Sequence, residues 1–299
     1  MVQRRTDLAV EAHEMWKESA GQTTRLAGVR AEERQREGFQ ATVVTVLDKE
    51  GAAALGKPVG RYVTLELDGL LRRQEGAFGR AVRAVAAEIE EMAPPSGTAL
   101  VVGLGSRSVT PDVVGPLAAD HLLVTRHLVD GLPEHFGHLR PVAAVTPGVL
   151  ASTGVESGDQ TAALAQKLKP SCVIAVDALA SRSIDRLCRT VQLSDTGITP
   201  GSGVGNHRTA LDKNSLGVPV IAVGVPTVVD GATLALDLLA QAGRNDLGQD
   251  ALGGRGADFF VTPREVDSRV ADLAKVIGDG VSLGLNPSLT LDDLVMLLE

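Results

Sequence analysis

The sequence predicts an α/β protein with a mostly parallel central sheet covered by helices on both faces. The first indication is SCVIAVDALA at residues 171–180, a continuous apolar run that leads to a single carboxylate, Asp177. Such a run is typical of a strand buried on both faces of a parallel sheet. The second indication is the alternation of similar runs with helical patterns along the chain. The third is composition, because 33 glycines and an aromatic content of 2% favour an aliphatic core layered with tight loops.

Strands are predicted where short apolar or alternating runs lie between turn residues. Residues 41–48 and 60–69 are expected to pair as a hairpin-like extension of the main sheet, joined by a glycine-rich connection. The polar and charged stretch 21–40 is interpreted as a loop. Further strands are predicted at residues 98–105, 141–148, 171–180, 191–195, 217–227 and 258–262.

Helices are predicted where apolar residues recur with helical spacing. The pattern at residues 74–92 places Phe78, Val82, Val85 and Ile89 on one stripe. The segment 196–208 is too rich in glycine for regular structure and is expected to be a loop. Other helices are predicted at residues 116–132, 156–169, 181–190, 228–243 and 289–299, with one more after Thr262.

Charge and cysteine usage limit the classes of function. The formal net charge is −8, with acidic and basic residues mixed along the chain, so a nucleic-acid groove is not expected. Cys172 and Cys188 both lie in apolar segments, as expected of reduced thiols in a cytoplasmic protein. No apolar run approaches the roughly 20 residues that cross a bilayer, so no membrane partner is expected.

Two carboxylates are the candidate functional groups. Asp177 ends the run described above, and Asp112 follows a second apolar strand in ALVVGLGSRSVTPD. Because parallel strands present their carboxyl ends at one edge of a sheet, the two acids are expected to meet there. They then either share one proton, as an acid and a base, or hold a divalent ion that activates water. The structural alternatives are a helix start for Asp112 and a loop tie for Asp177.

Other chemistries have weaker support in the sequence. GLGSRS at 103–108 is similar to a dinucleotide fingerprint but lacks its third glycine. GSGVGN at 201–206 is not followed by the Lys-Ser/Thr of a phosphate loop. The histidines show no metal-ligand spacing, and Cys172 begins an apolar strand, where a thiol is usually an inert core group.

Nine blocks of sequence together resemble the germination protease family of spore-forming bacteria, in one order from residue 6 to about 285. The blocks are TDLAVEA (6–12), GRYVTLE (60–66), VVGLG with VTPD and GP (101–116), LLVTRHL (122–128), PGV with TG and E (147–156), AVDALASRSI (175–184), LSDTGITPGSGVGN (193–206), GVPVIAVGVPTVVD (217–230) and VTPREVD (261–267).

The resemblance implies an endopeptidase that degrades small acid-soluble spore proteins during germination in the spore core. It implies a fold similar to that of hydrogenase-maturation endopeptidases, a homotetramer, and synthesis as a zymogen. By motif, the two aspartates proposed for catalysis in the family fall on Asp112 in VTPD and Asp177 in AVDALA. The glycine-rich loop is expected to border the cleft, through Gly201, Ser202, Gly203, Gly205 and Asn206.

The family cuts after an acidic residue and before an apolar one, and TDLAVEA is similar to that motif. Self-cleavage is therefore expected between Asp7 and Leu8, which makes residues 1–7 a short propeptide and residues 8–299 a single protease domain. No cofactor is expected. The alternatives are a metal-dependent endopeptidase that uses the same acids, and a catalytically silent oligomeric binding protein of the same fold.

Overall fold

The computed structural model describes residues 6–20, 26–201, 208–244, 256 and 259–298. The strands are β1 Val29–Arg36, β2 Phe39–Val46, β3 Gly60–Glu66, β4 Ala99–Gly103, β5 Val142–Val145, β6 Cys172–Ser181, β7 Thr190–Ser194, β8 Val220–Asp230 and β9 Phe260–Val261. The helices are α1 Ala9–Ala20, α2 Lys49–Leu55, α3 Asp68–Leu71, α4 Ala77–Met92, α5 Val114–Asp120, α6 Arg126–Gly131, α7 Pro133–Phe136, α8 Leu150–Thr153, α9 Ser157–Leu168, α10 Lys213–Leu216, α11 Gly231–Gln241, α12 Val266–Leu285 and α13 Leu291–Leu298.

These strands form one sheet in the order β1-β2-β3-β7-β8-β6-β4-β5, with β9 paired to β8. The central strands β8, β6, β4 and β5 are parallel. The sheet is extended on one side by antiparallel pairs between β1, β2, β3, β7 and β8. The pair of β2 and β3 is the predicted hairpin-like extension. The predicted α/β fold with a parallel central sheet is confirmed.

Helices cover both faces of the sheet because successive residues of a buried strand point to opposite sides. Ile174 and Val176 of β6 pack with helices α4, α5 and α12 in the main core. Val173 and Ala175 pack on the other side, where Leu164 of α9 contributes to the cluster. Helices α1 and α2 cover the same sheet next to β2 and β3. The predicted covering of both faces is confirmed.

The predicted loop at residues 21–40 is wrong for its second half, which contains β1 and the start of β2. β1 is an edge strand of polar sequence, VRAEERQR, and most of its side chains are exposed. Two of its polar residues bind a buried carboxylate, because Arg34 and Arg36 both donate hydrogen bonds to Glu88 of α4. An edge strand needs few apolar residues, so the alternation that marks a strand is missing.

Two predicted helices are also wrong. The run 116–132 is divided into α5 and α6, because the Thr125 amide leaves the helix and donates to the Val142 carbonyl at 3.1 Å. At residues 181–190 the structure has only a short 3-10 turn, because β6 continues to Ser181. The predicted connection between β2 and β3 contains α2, which Asp48 caps by accepting from the Gly51 amide.

Two local features hold the ends of β4 and β6 together. At Gly115 of α5, a Cβ would lie 2.3 Å from the Leu104 carbonyl oxygen and 2.4 Å from that of Val176, so only glycine fits there. The Thr227 hydroxyl of β8 donates to the Pro111 carbonyl at 2.7 Å, next to Asp112. The turn that carries Asp112 is thereby fixed against the strands beside Asp177.

Within the described ranges, each helix is either too short or too polar to cross a lipid bilayer.

Candidate active site

The two predicted acids line one cavity of about 290 Å³ at the carboxyl edge of the parallel strands. β4 ends at Gly103, which pairs with Val176, so Asp177 is the first β6 residue beyond that pair. Asp112 follows β4 in a 3-10 turn that returns to the same edge. Asp177 is 6% exposed and Asp112 is half-buried. The structure therefore brings the two carboxylates to the crevice where open α/β sheets place their sites.

Both carboxylates are held by backbone amides. The Asp112 carboxylate accepts from the Ser106 amide at 2.9 Å, and Asp177 accepts from the Ala178 amide at 2.9 Å. Each acid therefore has fixed orientation within the cavity. The structural roles considered for these acids, a helix start for Asp112 and a loop tie for Asp177, are present in part. Asp112 lies in a short 3-10 turn, and each carboxylate accepts a hydrogen bond from nearby backbone.

Burial raises the pKa of both acids. The pKa of Asp177 is well above the ordinary carboxyl value, first because the group is desolvated and then because the charge of Asp112 repels a second negative charge. Burial also raises the pKa of Asp112, against the opposing effects of the Ser106 amide and the Arg208 cation. Both shifts therefore have the same direction, and each favours the protonated form of a carboxyl in this cavity.

A peptide segment of the chain itself lies across this crevice. The Asp7 amide donates to the Ala180 carbonyl at 2.9 Å, and the Ala180 amide donates to the Asp7 carboxylate at 2.8 Å. Ala180 belongs to the part of β6 that extends beyond its pairs with β4, so its backbone is available to another segment. Asp7 lines the cavity of the acids, and its charge is among the causes that raise the pKa of Asp177.

Asp7 also lines a neighbouring cavity of about 400 Å³, where its carbonyl oxygen is bound. Lys57 Nζ donates to this oxygen at 2.9 Å and to the Thr6 carbonyl at 3.1 Å. Gln192 Nε2 donates to the Asp7 carbonyl at 3.3 Å. Lys57 and Gln192 line the larger cavity, the two acids line the smaller one, and Asp7 lies between them.

The residues after Asp7 are fixed as firmly. Leu8 is fully buried and packs with Val10 and Leu179, a residue on the same face of β6 as Asp177. Glu11 is also fully buried. Its carboxylate accepts from the Ser181 hydroxyl, the Arg182 and Ser183 amides, the Thr6 hydroxyl and the Arg186 guanidinium. The Asp7–Leu8 peptide is thus fixed on both sides.

Sequence patterns found some of these residues and missed others. Of the predicted cleft loop, Gly201 lines the cavity of the acids, while Ser202, Gly203, Gly205 and Asn206 lie outside the described residues. Four residues were not identified from the sequence; they are Glu11, Lys57, Gln192 and Arg208. The position of Gln192 between Val191 and Leu193 of the buried strand β7 was a signal available in the sequence.

A metal centre was an open alternative, and the described side chains of this cavity do not offer its usual set of ligands. Within the described ranges, no group of three or more His, Cys, Asp or Glu residues is arranged to hold an ion. Arg208 also lines the cavity and acts electrostatically on both acids, a role that a divalent cation would otherwise have.

A buried pair of carboxyls in the crevice of an α/β sheet, with a peptide across it, is an arrangement suited to hydrolytic enzymes. The model of the family described as "Germination protease" matches residues 9–244 of this chain. The chain belongs to the germination protease family and is a peptidase associated with spore germination.

Curated relatives agree over nearly the whole chain. A germination protease of Clostridium perfringens is 42% identical over 97% of this chain and 97% of its own length. Those of Caldanaerobacter subterraneus and Bacillus cytotoxicus are 40% and 37% identical, with at least 95% of each relative covered. A solved hydrogenase maturation protease, HycI from Thermococcus kodakarensis, is 17% identical with a TM-score of 0.36, covering 65% of this chain and 98% of that chain.

Proposed function

We propose that this protein is a self-processing endopeptidase that uses Asp112 and Asp177 to activate water and cuts its own chain between Asp7 and Leu8. The observation that carries the proposal is the position of Asp7, whose backbone pairs with Ala180 in the cavity lined by both acids. The next residue, Leu8, is apolar and fully buried. An acid followed by an apolar residue is the cleavage motif that the family resemblance implies.

In the proposed reaction the carboxyl pair holds one proton, and the more deeply buried Asp177 carries it at rest. Asp112 takes a proton from water as the water oxygen bonds to the carbonyl carbon of Asp7. Asp177 gives its proton to the nitrogen of Leu8 as the carbon–nitrogen bond breaks. The products are a carboxylic acid on Asp7 and an amine on Leu8, and the proton on Asp112 restores the pair.

The same chemistry accounts for small acid-soluble spore proteins as substrates in the spore core. A substrate peptide with an acid before an apolar residue would use the Ala180 backbone and the apolar surface of Leu179, as Asp7 and Leu8 do here. Residues 1–7 then act as the propeptide and residues 8–299 as the protease domain. We propose that residues 1–7 and the new N-terminus at Leu8 both leave the crevice after the cut, which frees the surface of Leu179 for a substrate, and that a homotetramer is the working assembly.

Self-cleavage tests the proposal directly. The purified chain is incubated at mildly acidic pH, with and without a chelator, and its intact mass and N-terminal sequence are followed. We expect a product that begins at Leu8, formed at the same rate in both arms. A product with another N-terminus refutes the site, and loss of cleavage with chelator refutes the metal-free chemistry. A chain that neither cleaves itself nor cuts a spore protein would instead be a silent binding protein.

A further inference from the structure

Lys57 and Gln192 form a pair of hydrogen-bond donors that meet at one carbonyl oxygen. Lys57 Nζ lies 2.9 Å from the Asp7 oxygen, and Gln192 Nε2 lies 3.3 Å from it. Under the proposed function this is the oxygen of the bond that is cut. Neither residue is part of the carboxyl pair, and neither lines the cavity of the acids.

Both donors are held by their own surroundings. Lys57 follows Gly56, whose left-handed conformation (φ 67°) ends helix α2 and turns the chain toward Asp7. Pro58, the residue after Lys57, is also fixed, because the Tyr62 hydroxyl donates to its carbonyl oxygen at 2.9 Å. These contacts place Lys57 independently of the segment that it binds.

Gln192 is oriented through the other end of its amide group. Its Oε1 accepts from the Ala9 amide at 2.7 Å, so its Nε2 is the atom that faces the Asp7 carbonyl. The residue lies in β7, between β3 and β8, and is 8% exposed. A rigid strand therefore sets the direction of this donor.

We propose that Lys57 and Gln192 hold and polarise the carbonyl of the residue before the cut, an inference that rests on the proposed function. When water adds to the carbonyl carbon, negative charge develops on this oxygen. A fixed ammonium and a fixed amide next to it then interact more strongly with the transition state than with the ground state. The acids act on the attacking water and the leaving nitrogen, so the two sets of groups have separate tasks.

The surroundings of Lys57 support this role. Burial lowers its pKa, and the charges of Asp7 and Glu11 act in the opposite direction. An ammonium in such a half-buried position interacts more strongly with a developing oxyanion than one in open water. A simple anchor for the N-terminal segment would affect only how tightly the peptide binds.

The test compares kcat and KM for cleavage of a synthetic peptide that contains TDLAVEA, with the processed enzyme in trans. For Lys57→Met we expect kcat to fall about 10²-fold to 10³-fold, as when an oxyanion donor is removed, while KM changes less than about threefold. Gln192→Glu keeps an acceptor for the amide at the position of Ala9, the second residue after the cut, but loses the donor, and its kcat should fall about tenfold or more. Lys49→Met, which removes an exposed lysine of α2, is the matched control and should retain the parent values.

Circular dichroism and melting temperature establish whether each variant is folded. If Lys57→Met does not fold, the test is decided by Gln192→Glu. The proposal is overturned if kcat of the folded variants stays within about threefold of the parent, or if the loss lies entirely in KM. Asp177→Asn is assayed in parallel. Full activity of Asp177→Asn overturns the proposed function. If Asp177→Asn loses activity while Lys57→Met keeps the parent kcat, only the role of the two donors is overturned.

Discussion

Asp7 and Ala180 are joined by two hydrogen bonds, at 2.9 Å between backbone groups and at 2.8 Å between the Ala180 amide and the Asp7 carboxylate. The pair places an acidic residue of the N-terminal segment on the free edge of β6, beyond the end of β4. The same edge carries Asp177, three residues earlier. The account of self-processing depends on this relationship, and it gives several predictions.

Replacing Asp7 tests the acidic side of the cleavage motif. Asp7→Ala removes the carboxylate that accepts from the Ala180 amide, so self-cleavage should slow at least tenfold. Asp7→Glu keeps the charge and should cleave at a rate closer to the parent. Intact-mass spectrometry over time measures both rates, and equal rates for Asp7→Ala and the parent would contradict the recognition of an acid.

The raised pKa of Asp177 makes a prediction about stability. The folded state binds this proton more tightly than the unfolded chain, so the stabilisation is complete below the ordinary carboxyl pKa and is lost as pH rises through the folded value. Asp177→Asn removes the cost of the buried charge. Its free energy of unfolding should exceed that of the parent at neutral pH, by roughly 1.4 kcal/mol for each unit of pKa difference.

Denaturant unfolding measures that difference, and the gap should close as pH falls below about 4, the range where carboxyls of the unfolded chain become protonated. Asp159→Asn, which replaces an exposed acid, is the control, and its free energy of unfolding should not exceed that of the parent at neutral pH. An Asp177→Asn variant that is less stable than the parent at neutral pH would contradict the assigned direction of the pKa shift.

Gly115 tests how the site is assembled. A Cβ there would meet the carbonyl oxygens of Leu104 and Val176, which lead to the two acids. Gly115→Ala should therefore separate the ends of β4 and β6 and reduce peptidase activity by an order of magnitude or more. Gly131→Ala introduces its Cβ where no neighbouring atom lies within 4 Å, and it should leave activity unchanged. Activity of Gly115→Ala equal to that of Gly131→Ala would refute this packing argument.

Glu88 tests the cluster that attaches β1 and β3 to α4. Its carboxylate is fully buried and pairs with Arg34, Arg36 and Arg61, whose side chains are 21–33% exposed. Glu88→Ala removes the buried one of the two carboxylates that these cations share, since Glu91 also pairs with all three, and it should reduce the free energy of unfolding by about 3 kcal/mol. The exposed Glu90 of the same helix is the control, since Glu90→Ala should change stability by less than about 0.5 kcal/mol. Equal effects of the two changes would show that the cluster contributes nothing specific.

The sequence predicted the centre of the fold better than its periphery. β4 and β6 are continuous apolar runs, so their burial and their parallel pairing follow from local pattern. Asp177 does not end its strand as the pattern suggested, because β6 continues to Ser181, but it does lie just beyond the last pair with β4. β1 was missed because an exposed edge strand needs no apolar alternation. The division of the predicted helix 116–132 depends on the bond from Thr125 to Val142, a contact that no local pattern contains.

Within the candidate site, the sequence predicted the acids but not the groups that face them. Lys57 reaches Asp7 from a turn after α2, and Gln192 reaches it from β7, at sequence separations of 50 and 185 residues. Only the pairing of β3 with β7 and the docking of α1 bring these positions together. Such convergence is a property of the tertiary structure and has no signature in residue spacing.

The most direct test of the account is the rate of self-cleavage of Asp177→Asn, Asp112→Asn and Asp159→Asn measured side by side by intact mass at mildly acidic pH. The carboxyl-pair mechanism predicts that both site variants remain at full length, with rates at least 10²-fold below the parent, while Asp159→Asn is processed to a chain that begins at Leu8. Processing of folded Asp177→Asn or Asp112→Asn at the rate of the Asp159→Asn control would contradict the assignment of these two acids.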